Sequence, residues 1–318
     1  MKFIIGSDHL GKDFAKKLQD IFSDGEFIEA FTESEQKKHI ADSEVFFGFP
    51  SKSLLENGKK LKWIACPGTG IDKIVKNLSL IGENITITNA PFAHVTPMAE
   101  HVVGMMISLA HSYKKLFDDQ KNKQWDVDQW ESKIVELKGS NVCIFGYGAL
   151  GRSIGDKLSA FDMNIYAIDP KTEQIKGKEI SISPVNNLNQ ILAKCNWLII
   201  AAPFIKETDD YIKKENLLFM KKGSYIIIIS RGGIVNENDM SELLNSKHLA
   251  GAGIDATKIE PLPQNSPLWD IDNAIISQHA SALSPEMYEE RRKIFINNVK
   301  RYLNNQNLLY VCDPKKGY

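Results

Sequence analysis

The sequence specifies an α/β chain of two doubly wound parallel-sheet domains, one inserted in the other, and three observations carry this expectation. Apolar runs of strand length recur from end to end with helical stretches between them, the alternation that builds parallel sheets. Residues 141–169, NVCIFGYGALGRSIGDKLSAFDMNIYAID, string together a strand, a glycine-rich turn, a helix and a second strand. At 318 residues, 43% hydrophobic and 25% charged, the chain is long enough for two separate cores.

The segment 141–169 organises the rest. Residues 142–145 are a short, partly β-branched apolar run, which reads as a buried parallel strand. Gly146, Gly148 and Gly151 follow with G-x-G-x-x-G spacing. The first admits a tight turn, the second lets a pyrophosphate approach the backbone, and the third lets helix pack on strand; each needs its missing Cβ. From Ala149 onward Leu150, Ile154, Leu158 and Phe161 recur at helical spacing, so the free N–H groups of that helix start would face phosphate. Residues 164–168 are the second strand, and Asp169 closes it eighteen residues after the last glycine. A carboxylate there can accept both ribose hydroxyls of NAD and repels the 2′-phosphate of NADP, though Lys171, two residues on, keeps NADP open as an alternative. A bare glycine triplet marks many ordinary loops, but strand, turn, helix, strand and acid agree here on a Rossmann NAD-binding domain.

In chain order, strand-like runs at 3–5, 27–31, 45–49, 61–65 and 85–88 alternate with helical stretches, so the first ninety or so residues form an open parallel sheet of their own. Residues 97–113 read as one long helix whose apolar positions, among them Met98, Val102, Met105, Met106 and Leu109, cover nearly its whole circumference. Such a helix must be covered on several sides, by a second domain or a second subunit. A polar stretch bearing Trp125 and Trp130 leads into the glycine segment. Beyond Asp169, runs at 196–203, 224–230, 249–255 and 274–277 bring the strands between 141 and 283 to six, one doubly wound domain. The last amphipathic stretch, 285–303, has no strand to pair and is expected to pack back on the first domain. The expected layout is a Rossmann NAD-binding domain, 97–283, inserted in a flavodoxin-like substrate domain, 1–96 with 284–318.

A formal net charge of −1 gives no electrostatic reason to expect nucleic acid or an anionic membrane as partner. The four cysteines are scattered without a C-x-x-C pair, as expected of reduced core residues in a cytoplasmic protein, and no metal site follows from them. The amino terminus reads as a first strand, not a signal peptide, and no apolar run approaches the length that spans a bilayer.

Ligands of open parallel sheets bind outside the carboxyl ends of the strands. Three residues stand just past such ends: Arg231 after SYIIIIS, Glu260 after LAGAGID, and His279 after AIIS. A guanidinium beside two glycines suits bidentate capture of a small carboxylate. A histidine can pass a proton near neutral pH, and a neighbouring glutamate would hold the imidazole oriented and charged. These are the parts for reducing a 2-oxo acid: Arg231 holds the carboxylate, the cofactor delivers hydride, and His279 supplies the proton. Singly, each is more often a surface pair, a turn or a hydrogen-bonded histidine; arriving at successive strand ends, they favour function.

Over almost its whole length the chain resembles the D-isomer-specific 2-hydroxyacid dehydrogenases. The matching pieces are LKWIACPGTGID, ITNAPFAHVTPMAEHVVGMMISLA, IFGYGALGRSIG, SRGGIVNENDM, GAGIDATKIEPLP and the segment around His279. The resemblance implies NAD as cofactor, a small 2-oxo or 2-hydroxy acid as substrate, and a homodimer. It implies that Thr69 and Gly70 offer N–H groups to the substrate, and that Ala149, Leu150 and Asp169 contact the adenosine and pyrophosphate. It places Pro203, Thr208, Ile229, Ser230 and Asp255 along the nicotinamide half, with Arg231, Glu260 and His279 as the catalytic three. For Thr69 a turn role, and for Asp255 a structural one, are rival readings.

The chain departs from the family pattern at Gln278, where proline is usual, at DATKIEP and at AAPFIKETDD. None of these removes a member of the three, so they bear on substrate identity and rate more than on reaction class. A second reading is an NAD-sensing regulator, since corepressors resembling this family keep the fold and the three residues. The absence of a basic patch favours the enzyme. A phosphorylated substrate is disfavoured by the lack of arginine before Arg152, and Phe49 and Phe92 hint at an apolar side-chain pocket.

Overall fold

Runs such as the four consecutive isoleucines of SYIIIIS, with no polar alternation, are satisfied only in a sheet covered on both faces, and each sheet of this protein is entirely parallel. The computed structural model describes residues 1–80, 84–172 and 180–314. Its contacts divide the chain into Met1–His94 with Leu283–Tyr318, called unit 1, and Val95–Ala282, called unit 2.

In unit 1 the strands are β1 (Lys2–Ile5), β2 (Glu26–Glu29), β3 (Val45–Phe47), β4 (Trp63–Ala65) and β5 (Thr86–Thr88). They lie in the order β2, β1, β3, β4, β5, so the winding reverses between β1 and β3. Helices α1 (Phe14–Ile21), α2 (Glu33–His39), α3 (Lys52–Asn57) and α4 (Asp72–Val75) make the connections. Ile4, Phe46 and Ile64 point to one face of the sheet, and Phe3, Ile5, Val45, Phe47 and Trp63 to the other.

Unit 2 opens with α5 (Val95–Ala110) and α6 (Tyr113–Lys121). The single long helix expected over 97–113 is α5, which ends three residues short at Ala110; the unexpected second helix, α6, starts after Ser112 takes a left-handed φ of 53°, with no glycine or proline there to announce it. On α5, Ala99, Val102, Met105, Met106 and Ala110 are buried, packed against α7 and the sheet, while Glu100 and Gly104 are exposed in the single chain. Then come β6 (Asn141–Phe145), α7 (Ala149–Ser159), β7 (Asn164–Ile168), β8 (Ser181–Ser183), α8 (Leu188–Leu192), β9 (Trp197–Ile200), α9 (Lys214–Leu217), β10 (Ser224–Ile228), α10 (Glu237–Asn245), β11 (Leu249–Ile254) and β12 (Ala274–Ile276).

This second sheet has seven strands, not the six expected, in the order β12, β11, β10, β9, β6, β7, β8. The extra strand, β8, reads only Ser-Ile-Ser, pairs with β7 alone and is never fully buried, so it carries none of the apolar pattern that marks the others. Along β6, Val142 and Ile144 face one core cluster, and Cys143 and Phe145 the other.

The chain returns to unit 1 in α11 (Pro285–Leu303), whose start is set by Ser284 accepting from the Met287 N–H and by proline at the first position. Its Phe295 stacks on Trp63, ring centres 5.7 Å apart, and meets the edge of Phe47 at 4.6 Å.

Candidate active site

In unit 2 the glycine turn lies between β6 and α7, next to the point where the strand order reverses. Gly146 has a φ of 95°, and a Cβ there would sit 2.4 Å from the Ala202 main chain; a Cβ on Gly151 would sit 2.2 Å from the Gly146 carbonyl oxygen. Those two glycines are demanded by the protein itself. Gly148 is different, because a Cβ there would meet nothing within 4 Å, so the protein alone does not require it. The open space over Gly148, at the head of α7 beside Ala149 and Leu150, is what a phosphate approaching the backbone needs.

Asp169 turns back onto this loop. Its Oδ2 accepts from the Tyr147 N–H at 2.8 Å and its Oδ1 from the Lys171 N–H at 2.9 Å, which fixes the carboxylate at the tip of β7. After β9, the Thr208 hydroxyl donates to the Pro203 carbonyl at 2.8 Å and accepts from the Ile205 N–H at 2.9 Å, closing the turn that follows the strand. Ile229 is fully buried, and the Ser230 hydroxyl is buried without a hydrogen-bond partner.

The three strand-end residues come together on unit 2. His279 Nδ1 lies 2.8 and 2.9 Å from the two oxygens of Glu260, so the glutamate holds Nδ1–H and leaves Nε2 to face outward. Burial alone would push the Glu260 carboxyl up, but the hydrogen bond and charge of His279, the Thr257 N–H and the charge of Arg231 together hold it below the ordinary glutamate value. Arg231 Nη1 donates to the Ser230 carbonyl at 2.9 Å.

The loop carrying Glu260 is clamped from behind. A Cβ on Gly232 would fall 2.3 Å from Thr257, and the Lys258 N–H donates to Glu237 at 2.5 Å. Burial, against the pull of that bond, pushes the Glu237 carboxyl up.

Asp255, 2% exposed, holds the turn that carries His279. Its Oδ1 accepts from the Ser277 hydroxyl at 2.7 Å and from the Ala280 and Ser281 N–H groups at 2.9 and 3.1 Å. Ser277 in turn meets His101 Nε2 of α5 at 2.9 Å. Asp255 Oδ2 is buried and unpartnered. His101, Ser277 and Glu237 were not read from the sequence, because nothing in a linear pattern links α5 to a turn 176 residues later.

In unit 1 the loop after β4 carries Thr69 and Gly70. Asn89 Nδ2 donates to the Thr69 carbonyl at 2.7 Å, and the Ala90 N–H donates to the Gly68 carbonyl at 2.9 Å. Among the described residues neither the Thr69 nor the Gly70 N–H donates to another protein group. Phe49 and Phe92 are 38% and 57% exposed, Phe92 edge-on to Tyr310 at 5.6 Å.

A nicotinamide dinucleotide fits what unit 2 offers: open backbone at Gly148, a fixed carboxylate at Asp169, and two buried oxygens, Ser230 Oγ and Asp255 Oδ2, still short of a partner. The sequence profile described as D-isomer specific 2-hydroxyacid dehydrogenase, NAD binding domain, matches residues 103–281. The chain belongs to this family.

Among relatives of this dehydrogenase family, the D-3-phosphoglycerate dehydrogenase of Methanocaldococcus jannaschii is 26% identical over 95% of this chain and 58% of its own length. A hydroxypyruvate reductase of Blautia hydrogenotrophica is 25% identical over 79% of each chain. The matches to the phosphoglycerate dehydrogenases of Methanocaldococcus jannaschii and Archaeoglobus fulgidus span only 58% and 44% of those proteins. The same fold is seen in a D-isomer specific 2-hydroxyacid dehydrogenase family protein from Aeromonas salmonicida, at a TM-score of 0.86 and 24% identity over 98% of both chains. A probable 2-hydroxyacid dehydrogenase from Rhizobium etli, solved with NADP, aligns at a TM-score of 0.81 and 22% identity over 100% of this chain and 98% of that one.

Proposed function

We propose that this protein is an NAD-dependent oxidoreductase that interconverts a small D-2-hydroxy acid and its 2-oxo acid. The observation that carries the reading is the paired contact of His279 with both Glu260 oxygens in the unit that bears the glycine fingerprint. When bound, NADH supplies the hydride.

The protein's own residues do the rest. Arg231 takes the substrate carboxylate in its planar fork, with the Thr69 and Gly70 N–H groups as further donors. His279 Nε2–H gives its proton to the carbonyl oxygen as that oxygen gains charge, and recovers it in the opposite direction. Glu260 keeps the ring turned and stabilises the imidazolium before transfer. Gly146, Gly148, Ala149, Leu150 and Gly151 bind the pyrophosphate side, and Asp169 selects NAD by accepting the ribose hydroxyls. Pro203, Thr208, Ile229, Ser230 and Asp255 line the nicotinamide half. Residues 1–96 with 284–318 then serve as the substrate domain and 97–283 as the dinucleotide domain.

A cytoplasmic homodimer is part of the proposal; the exposed apolar side chains Phe117, Trp125 and Val127, at 64, 94 and 65%, support a subunit contact. The test is a panel of 2-oxo acids, with and without phosphate, scored by NADH oxidation. Turnover of a small unphosphorylated acid is the expected result. Tight NADH binding with no acid reduced would instead support an NAD-sensing regulator.

A further inference from the structure

Unit 1 buries a cation that has no counter-ion among the described residues. Arg291, in the second turn of α11, is 4% exposed, and its Nε and Nη1 are buried without a hydrogen-bond partner. Among the described residues no carboxylate lies within ion-pair range of it. Burial lowers the guanidinium from its ordinary value, and the ionisable neighbours that oppose this are Tyr288, its ring 5.4 Å from the guanidinium carbon, and the Cys66 thiol, pushed up to about 12 by burial. Phenol and thiol are neutral at pH 7, so the positive charge stands. Its field reaches His9, held below its ordinary value by burial and then by Arg291. A fold keeps an unpaired buried charge only where something offsets the cost.

The remaining nitrogen shows what that charge acts on. Arg291 Nη2 donates to His94 Nε2 at 2.7 Å. A ring nitrogen that faces a guanidinium N–H must present its lone pair, so the imidazole proton sits on Nδ1. Nδ1 lies 3.2 Å from the Ala90 carbonyl and 3.4 Å from Thr69 Oγ1. That proton lies nearest the Ala90 carbonyl, and a protonated Nδ1 cannot accept from Thr69 Oγ–H, so the hydroxyl is left to donate outward. Thr69 is exposed, and Asn89 fixes its backbone.

We propose that Arg291 is a positioning residue for an anionic substrate: through His94 it sets Thr69 Oγ–H as a donor on the loop after β4, and it places an unneutralised positive charge beside that loop. This rests on the reading of Thr69 and Gly70 as substrate-binding and adds a receptor for the acid in its anionic form, separate from Arg231.

The test uses the full chain with Arg291→Met, Arg291→Lys and His94→Phe. It reads three quantities: the thermal midpoint without ligand, the Kd of oxalate by calorimetry with NADH present, and the KM and kcat for the best 2-oxo acid of the panel. Arg291→Met should leave the midpoint equal or higher, weaken oxalate and raise KM by about tenfold to a hundredfold, the worth of a charge-assisted contact, and change kcat and NADH affinity far less. His94→Phe should reproduce the KM and oxalate effects, and Arg291→Lys should fall between. A lowered midpoint with unchanged oxalate affinity would make Arg291 structural and overturn the proposal. So would a failure of oxalate to bind the wild type. Because oxalate is not reduced, its binding is measured independently of whether any acid of the panel turns over.

Discussion

The main-chain N–H of His279 lies 2.6 Å from the carbonyl oxygen of Asp255, whose side chain holds the residues on both sides of that histidine. The hold has work to do, because Gln278 and His279 both take left-handed φ values, 56° and 57°, which neither side chain favours. Proline could not adopt the φ that Gln278 takes, and the turn relies on Asp255 to hold it. Asp255→Ala should destabilise unit 2 by about 2–4 kcal/mol, since it strands buried donors, and Ser277→Ala by about 1 kcal/mol. Chemical denaturation checks both, and equal losses would mean that the hydroxyl, not the main-chain pair, is what Asp255 holds.

The Glu260–His279 pair sets a pH dependence whose sign is fixed. The Glu260 carboxyl is held below its ordinary value, so its contribution to stability is fully present above the ordinary glutamate range and is lost as pH falls through the lower folded value. The side chains are 35% and 43% exposed, so solvent screening limits the pair to about 1 kcal/mol or less. The midpoint difference between wild type and Glu260→Gln should be flat near neutrality and shrink at acid pH. A difference that grows on acidification contradicts the assignment.

Two glycines of the fingerprint should separate folding from cofactor binding. Gly151→Ala drives a Cβ onto the Gly146 carbonyl and should cost about 1–3 kcal/mol or more in stability. Gly148→Ala meets open space in the protein, so its midpoint should stay near wild type while NADH affinity falls. Calorimetric titration of NADH against both variants decides it.

Asp169 faces the loop through bonds to Tyr147 and Lys171. Asp169→Ala should narrow the NAD over NADP preference by about tenfold or more, the worth of removing a carboxylate repelled by a 2′-phosphate. Kinetics with both cofactors measures the ratio, and an unchanged ratio places selectivity elsewhere on unit 2.

What the sequence disclosed depended on how local each constraint is. The fingerprint was legible because Gly146 and Gly151 are fixed by backbone a few residues away, or one strand over at Ala202. Arg231, Glu260 and His279 stood out in the sequence because each lies within a few residues of the carboxyl end of an apolar run. Strand β8 was not, since Ser181–Ser183 sits at an edge where half-exposed serines leave no period. The break between α5 and α6 was hidden because it rests on one left-handed serine. The polar pairs His101–Ser277 and Arg291–His94 join residues 176 and 197 apart, and no spacing rule reaches that far.

Because unit 1 takes its strands from before Val95 and α11 from after Ala282, its earlier part can be completed only after the inserted unit has been synthesised. Trp63 and Phe47 wait for Phe295, with all of Val95–Ala282 synthesised in between. During that interval the inserted unit has every strand of its own sheet, whereas the earlier one still exposes an aromatic surface to whatever lies nearby. Synthesis therefore favours the later-born sheet as the first to reach its native arrangement.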